Sequence, residues 1–163
     1  MKNTIERFVG DKKVALVGAS QNQKKWGNML LRELKKKGYT VYPVNPNATD
    51  IEGEKCFPTV KELPKEITNV IIALPPAITE NILKECIQAG IKRVWIHKGV
   101  GGKGSKSTAA LEFCKANGIE VVYDLCPLMF IPPLGMHGVH LWIKKLIGTL
   151  PREFKQEPKT IQP

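Results

Sequence analysis

The stretch VALVGASQNQKKWGNMLL, Val14 to Leu31, decides the fold. Val14–Val17 is a short, continuous apolar run, the pattern of a strand buried on both faces. Gly18, Ala19 and Ser20 follow it directly. A polar segment with Lys24 and Lys25 comes next, then apolar residues at helical spacing that predict a helix over Trp26–Lys37. Gly38 stands just past that helix, where a C-cap is expected. A buried strand turning sharply into a helix presents free amides and the positive end of a helix dipole, a natural seat for a phosphate.

The same alternation runs along the chain. Thr40–Val44 reads as the second strand, stopped by Asn45-Pro46-Asn47. Glu52–Pro64 reads as irregular, with one helical turn near Val60. Asn69–Leu74 is the third strand, broken by Pro75-Pro76. A helix follows, with Ile78, Ile82, Leu83, Cys86 and Ile87 on one face and Gly90 closing it. Arg93–His97, a helix over Ser107–Ala116 and a strand over Ile119–Tyr123 complete the series. A last helix is expected from about Val139 to Ile147. Buried strands alternating with helices specify an α/β, Rossmann-like three-layer fold: a five-stranded parallel sheet with helices on both faces, expected order 3-2-1-4-5. Ligands in such folds sit outside the carboxyl ends of the strands, where the strand order reverses.

A chain of 163 residues suggests one domain, here residues 1–151, followed by a flexible, polar, lysine-rich tail over 152–163. Twenty-five Lys and Arg against fifteen Asp and Glu leave a net charge of +10, which favours an anionic partner or simply solvated helix faces. Nucleic acid is disfavoured, because no arginine-rich run or aromatic-basic interleaving occurs. The longest apolar runs, such as Val70–Leu74, fall far short of the ~20 residues of a membrane span. The first residues have no apolar leader core, so a cytoplasmic protein is expected. Cys56, Cys86, Cys114 and Cys126 stand at wide spacings with no Cys-x-x-Cys, which argues for reduced thiols.

Two loops compete for a nucleotide. In the first, Gly18 permits a tight turn, Ala19 and Ser20 allow close backbone approach, and Lys24 and Lys25 add charge. Ser20 and Gln23 stand where the dinucleotide motif has its second and third glycines. In the second, Gly99–Gly104 spells GxGxxG after a strand and before a helix, with Asp124 twenty residues on, the spacing of an acid that binds a ribose hydroxyl. That loop follows the fourth strand, and would serve an NAD(P)-binding protein or oxidoreductase. The second strand ends in Asn45, not in the acid that a nicotinamide nucleotide usually requires. A neutral Asn45 near lysines suits coenzyme A, whose ribose carries a 3′-phosphate.

The segments VALVGAS (14–20), GYTVYPVNP (38–46), LPPAITENILKECIQAGIKRVWIHKGV (74–100), GIEVVYDLCP (118–127) and HGVHLWIKKLIGTLP (137–151) occur in this order. Together they resemble the stand-alone CoA-binding domain proteins, similar to the N-terminal domain of the succinyl-CoA synthetase alpha subunit. The resemblance covers about residues 10 to 151. It implies CoA as the ligand, Gly18, Ala19 and Ser20 as the phosphate turn, and Asn45-Pro46 as the turn after the second strand. It implies Leu74, Pro75 and Pro76 as the lining of the groove, and Lys98-Gly99 as the turn after the fourth strand. The family pattern has glutamine in place of His97 and a shorter segment at 101–106. The synthetase's phosphohistidine domain has no counterpart here, so no catalytic residue is assigned. The expected function is binding of CoA or an acyl-CoA, as a carrier, sensor or regulatory module. A ligand-tuned protein-interaction module is the third class considered.

His137 and His140 with Cys126 make a weak metal set, and no metal site is assigned. Cys126 follows the fifth strand on the ligand edge, and is either a thiol accessible to bound CoA or a small core residue. Leu141, Trp142, Leu146 and Ile147 make the last helix apolar, for packing on its own sheet or for a homodimer.

Overall fold

Five strands form one parallel sheet: β1 (Lys13–Val17), β2 (Thr40–Val44), β5 (Asn69–Ile72), β6 (Arg93–Ile96) and β7 (Glu120–Tyr123). Between β2 and β5 lies a small antiparallel hairpin, β3 (Asp50–Ile51) with β4 (Glu54–Lys55). The computed structural model describes residues 1–98, 108–148 and 150. Gly99, the remainder of the Gly99–Gly104 loop and the tail expected after Pro151 lie outside these residues.

The order across the sheet is β2-β1-β5-β6-β7. This is the Rossmann-like winding of the 3-2-1-4-5 pattern, with a shift in which segment holds the outer place. The position beyond β2 is held by a single parallel bridge from Phe57 to Val44. Asn69–Ile72 stands beside β1, with Val17 level with Ile72. The chain therefore moves one way from β1 to β2 and the other way from β5 to β7. Right-handed crossovers in opposite directions place their helices on opposite faces.

The strands show this division residue by residue. Val14, Leu16, Val41, Ile71, Trp95 and Val122 pack in one core with Leu30, Leu31 and Leu34 of α2 (Trp26–Lys36). Ala15, Val17, Val70, Ile72, Val94 and Ile96 pack in a second core with Leu83 and Cys86 of α3 (Pro76–Gln88) and with Ala110 and Cys114 of α4 (Thr108–Ala116). Period-two alternation thus distributes near-continuous apolar strands between two helix layers.

Three features depart from the sequence expectations. A first helix, α1 (Lys2–Gly10), covers the face that α2 leaves open near β6 and β7. Phe8 sets its ring edge-on to Trp95 at 5.3 Å between centroids, and Thr4 Oγ1 donates to Glu120 at 3.0 Å. Burying Phe8 fully contributes about 1.5–3 kcal/mol, which holds a segment whose sequence is mostly polar. The hairpin replaces the irregular segment expected from Glu52 onward. Its turn is Glu52-Gly53, both at positive φ (55° and 77°), the backbone a tight two-residue hairpin requires. The last helix, α5, runs Gly135–Leu146, starting four residues before Val139, immediately after Pro132-Pro133 and Leu134 rather than beyond the two glycines at 135 and 138. The helical turn near Val60 is present as a 3-10 turn over Val60–Glu62.

Candidate functional site

Strand order reverses between β1 and β5, so the crevice at their carboxyl ends is the topological switch point. A groove of about 370 Å3 opens there. Its polar lining is Ser20, Lys25, Asn45, Asn47, Thr59 and the acidic Glu85 of α3. Its apolar lining is Val17, Val44, Leu74, Ile78 and Ile82. A more open hollow of about 510 Å3 adjoins it across Pro46, Asn47 and Pro58 and includes Gln21, Lys55 and Cys56.

Two glycines set the shape of the turn. Gly18 has φ 125°, and a Cβ on it would lie 2.5 Å from the Ala73 carbonyl oxygen. A Cβ on Gly27 would lie 2.2 Å from the Gly18 carbonyl oxygen. The turn is thus threaded between the end of β5 and the first turn of α2, with no room for a side chain on either wall.

Side chains then brace it. Asn28, fully buried on α2, accepts the Ser20 N–H on Oδ1 at 3.0 Å. It returns a bond from Nδ2 to the Ser20 carbonyl at 2.7 Å. The same Nδ2 donates to Glu52 Oε1 at 3.1 Å, and Arg32 Nη1 reaches that oxygen at 2.5 Å. Gln21 Nε2 donates to the Asp50 carbonyl at 2.8 Å. The hairpin therefore buttresses the turn from outside. Asn45 braces it from β2: Nδ2 donates to the Ala19 carbonyl at 2.9 Å, and Oδ1 accepts the Asn47 N–H at 2.9 Å. The Ser20 amide is committed to Asn28. At the start of α2, Lys25 at the N-cap supplies no side-chain cap, and the Asn28 and Met29 N–H groups turn back to the Lys25 carbonyl at 3.1 and 3.2 Å.

Of the residues expected at the site, Gly18, Ala19, Ser20, Lys25, Asn45, Pro46 and Leu74 are brought together around the groove. Lys24 is exposed on the outer side of the loop, its N–H held by Asn22 Oδ1 at 3.1 Å. Pro75 and Pro76, expected as lining, do not line the groove; they are the N-cap and first residue of α3. They aim Ile78 and Ile82 into the groove. Lys98, at the end of β6, pairs with Asp124 at 3.6 Å. Gly99 lies outside the described residues. The sequence alone did not point to Gly27, Asn28 or Glu52, nor to Ile78 and Ile82 as a wall rather than core. A glycine and an asparagine in the first turn of an otherwise amphipathic helix were the available signal.

His97 is 6% exposed. Its Nε2 accepts the indole N–H of Trp26 at 2.9 Å, with the rings 5.1 Å apart. Burial pulls its pKa down to about 4, so the ring is neutral and the Trp26 bond puts the proton on Nδ1. The pair ties the end of β6 to the first residue of α2. Cys126 belongs to the core and burial pushes its thiol up to about 11. The thiol accessible to a ligand is therefore not found, because the chain after β7 turns Cys126 inward beside Leu125 and Leu128. All four cysteines are buried and free. Among the described residues no three of His, Cys, Asp and Glu gather to hold a metal, and no helix is long and apolar enough to cross a membrane.

The CoA binding domain family matches residues 12–132. The ADP-forming acetate–CoA ligase II of Archaeoglobus fulgidus is 38% identical over 117 residues, covering 68% of this chain and 17% of the ligase. The chain thus spans about a fifth of the length of the curated ligases it matches. A conserved hypothetical protein from Pyrococcus furiosus superposes with a TM-score of 0.66 at 39% identity, over 71% of this chain and 95% of that one. The dinucleotide-forming acetyl-coenzyme A synthetase 1 of Ca. Korarchaeum cryptofilum, in complex with phosphate and ADP, gives 0.63 at 29% identity over 72% and 26%. A family match spanning the whole sheet, the turn at Gly18 and the groove identifies this chain as a member of the CoA binding domain family, related to the corresponding domain of the ADP-forming acyl-CoA ligases.

Proposed function

We propose that the groove binds coenzyme A or an acyl-CoA. The observation that carries this is the groove at the switch point, which sets Lys25 and a helix start without a side-chain cap in the same cleft as apolar Val17, Val44, Leu74, Ile78 and Ile82. The pyrophosphate lies over Ala19 and Ser20 against the start of α2, where amides and helix dipole favour negative charge. The adenine packs on Leu74, Ile78 and Ile82. The ribose phosphate points past Asn47 toward the hollow that holds Lys55, and the net charge of +10 draws the polyanion in. The pantetheine arm crosses the strand ends toward Lys98. No residue is assigned a chemical step. The domain acts in the cytoplasm as a carrier, sensor or regulatory module whose liganded state is read by a partner.

Calorimetry and thermal shift with CoA, acetyl-CoA, NAD and NADP test this. CoA at one hundred times its dissociation constant adds about 2.7 kcal/mol to stability, a rise of roughly 5–11 °C for a domain of this size. A comparable rise with NAD and none with CoA would transfer the site to the Gly99–Gly104 loop and Asp124.

A further inference from the structure

Glu85 is the one acid among the described residues that line the groove at the switch point. Ile78, Ile82 and Glu85 follow one another on α3 at steps of four and three, so they form one stripe down the helix. All three line the groove. Helix α3 starts at Pro76, past the end of β5, and leads back to the parallel strand β6. It therefore returns along the sheet, and Glu85 stands about 10 Å farther along the helix axis than Ile78, away from the strand ends. Glu85 is half-buried. The Val60 N–H donates to its Oε2 at 3.2 Å. Among the described residues Glu85 makes no ion pair and accepts no other hydrogen bond. Oε1 is thus an open acceptor beside the apolar stripe.

A carboxylate in the wall of a groove repels an anionic ligand unless a donor of that ligand meets it. The other charged residue of this lining is Lys25, so the two charges suit two different parts of one ligand. If the groove is a CoA site, as proposed above, the phosphates stay at the strand ends with Lys25 and the pantetheine arm leaves across them. The base packs on Ile78 and Ile82, and the edge it turns toward Glu85 is the one farthest from the ribose. In adenine that edge carries the N6 amine, a donor. In hypoxanthine or guanine it carries O6, an acceptor that would face the carboxylate unmatched. We propose that Glu85 selects adenine, accepting a hydrogen bond from N6 on Oε1 while Oε2 keeps the Val60 N–H.

Titration calorimetry of the full chain with CoA and with its deaminated counterpart, in which hypoxanthine replaces adenine, tests this. The wild type is expected to bind CoA at least about tenfold more tightly, because the deaminated base leaves the buried acceptor unmatched. Glu85→Gln changes the hydrogen-bonding pattern and little else. Its amide oxygen keeps the Val60 N–H, and its amide nitrogen then faces the base, a donor set against N6 but matched to O6. The preference for CoA should fall to parity or reverse, with the thermal midpoint nearly unchanged. A residue that only holds the Val60 turn would leave the preference where the wild type has it. An unchanged preference in Glu85→Gln therefore overturns the proposal. Equal binding of the two ligands by the wild type overturns it as well, even where the variant folds poorly, and leaves the CoA reading of the groove standing. Binding of neither ligand removes that reading and the selection of adenine with it.

Discussion

Replacing Gly27 with alanine sets helix propensity against a steric clash. Alanine is favoured over glycine in a helix interior by about 0.8–1 kcal/mol, so an unconstrained helix would gain. Here the added Cβ falls 2.2 Å from the Gly18 carbonyl oxygen and 2.7 Å from the Ala19 nitrogen. Ordinary contact begins at 3.4 Å, so α2 and the turn must separate by about 1 Å, a displacement of the kind that overpacking forces on a filled core. Neither side yields easily. The atoms met are backbone, Gly18 already abuts Ala73, and α2 is held by fully buried Leu30, Leu31 and Leu34. Overpacking of this kind costs about 1–3 kcal/mol, which exceeds the propensity gain. The expected net loss is about 0–2 kcal/mol, a fall in Tm of up to roughly 8 °C by differential scanning calorimetry. Titration calorimetry is expected to show CoA affinity down at least about tenfold, because amide hydrogen bonds made at 2.7–3.2 Å do not survive such a displacement. A raised Tm with unchanged CoA affinity would refute the reasoning, since helix propensity would then have won and the close approach would not be what aims the amides.

Asn28→Ala orphans the Ser20 N–H and carbonyl, costing about 1–3 kcal/mol, and is expected to weaken CoA binding; full retention of affinity would leave the hairpin without a part in holding the turn. Asn45→Asp sets a carboxylate against the Ala19 carbonyl and a ribose phosphate, so CoA binding measured at low salt should fall more than NAD binding; equal losses would remove the phosphate from that end. CoA should bind more tightly than dephospho-CoA, with the gap closing as salt screens Lys25 and Lys55, and equal affinities at every salt concentration would exclude those lysines. For His97 the folded pKa of about 4 lies below the ordinary 6.5, so between these values the unfolded chain holds the extra proton. Stability is therefore complete above about pH 6.5 and declines as pH falls through the window, by on the order of 3 kcal/mol in all. His97→Gln keeps an acceptor for Trp26 and should flatten that decline in urea midpoints, while an unchanged slope would assign it elsewhere.

Much of the site was legible because it rests on local chemistry. The apolar run Val14–Val17, the small residues after it and the polar stop at Asn45-Pro46 each act within a few residues, and these patterns identify both the strands and their ligand edge. What escaped depends on contacts distant in sequence. Glu52 matters through Asn28, twenty-four residues away, and Gly27 through its distance to Gly18. Neither relation leaves a periodic trace. Helix α1 was missed for a similar reason: Ile5 and Phe8 are apolar among charged neighbours, and only Trp95 and the exposed end of β7 explain their burial. The role read for Asn45 changed most. Its residue type suggested a ligand contact, whereas its side chain is committed to the Ala19 carbonyl and the Asn47 amide.

The two prolines at the head of α3 carry a consequence for rates. Pro75 and Pro76 fix their own φ angles, and the helix they start presents Ile78 and Ile82 at the groove. A wall set in this way loses little conformational freedom when a base packs on it. Encounter with that wall is then a single bimolecular step, with an observed association rate linear in ligand concentration. Differences in affinity among acyl-CoAs should accordingly appear in how long each remains bound, not in how fast it arrives.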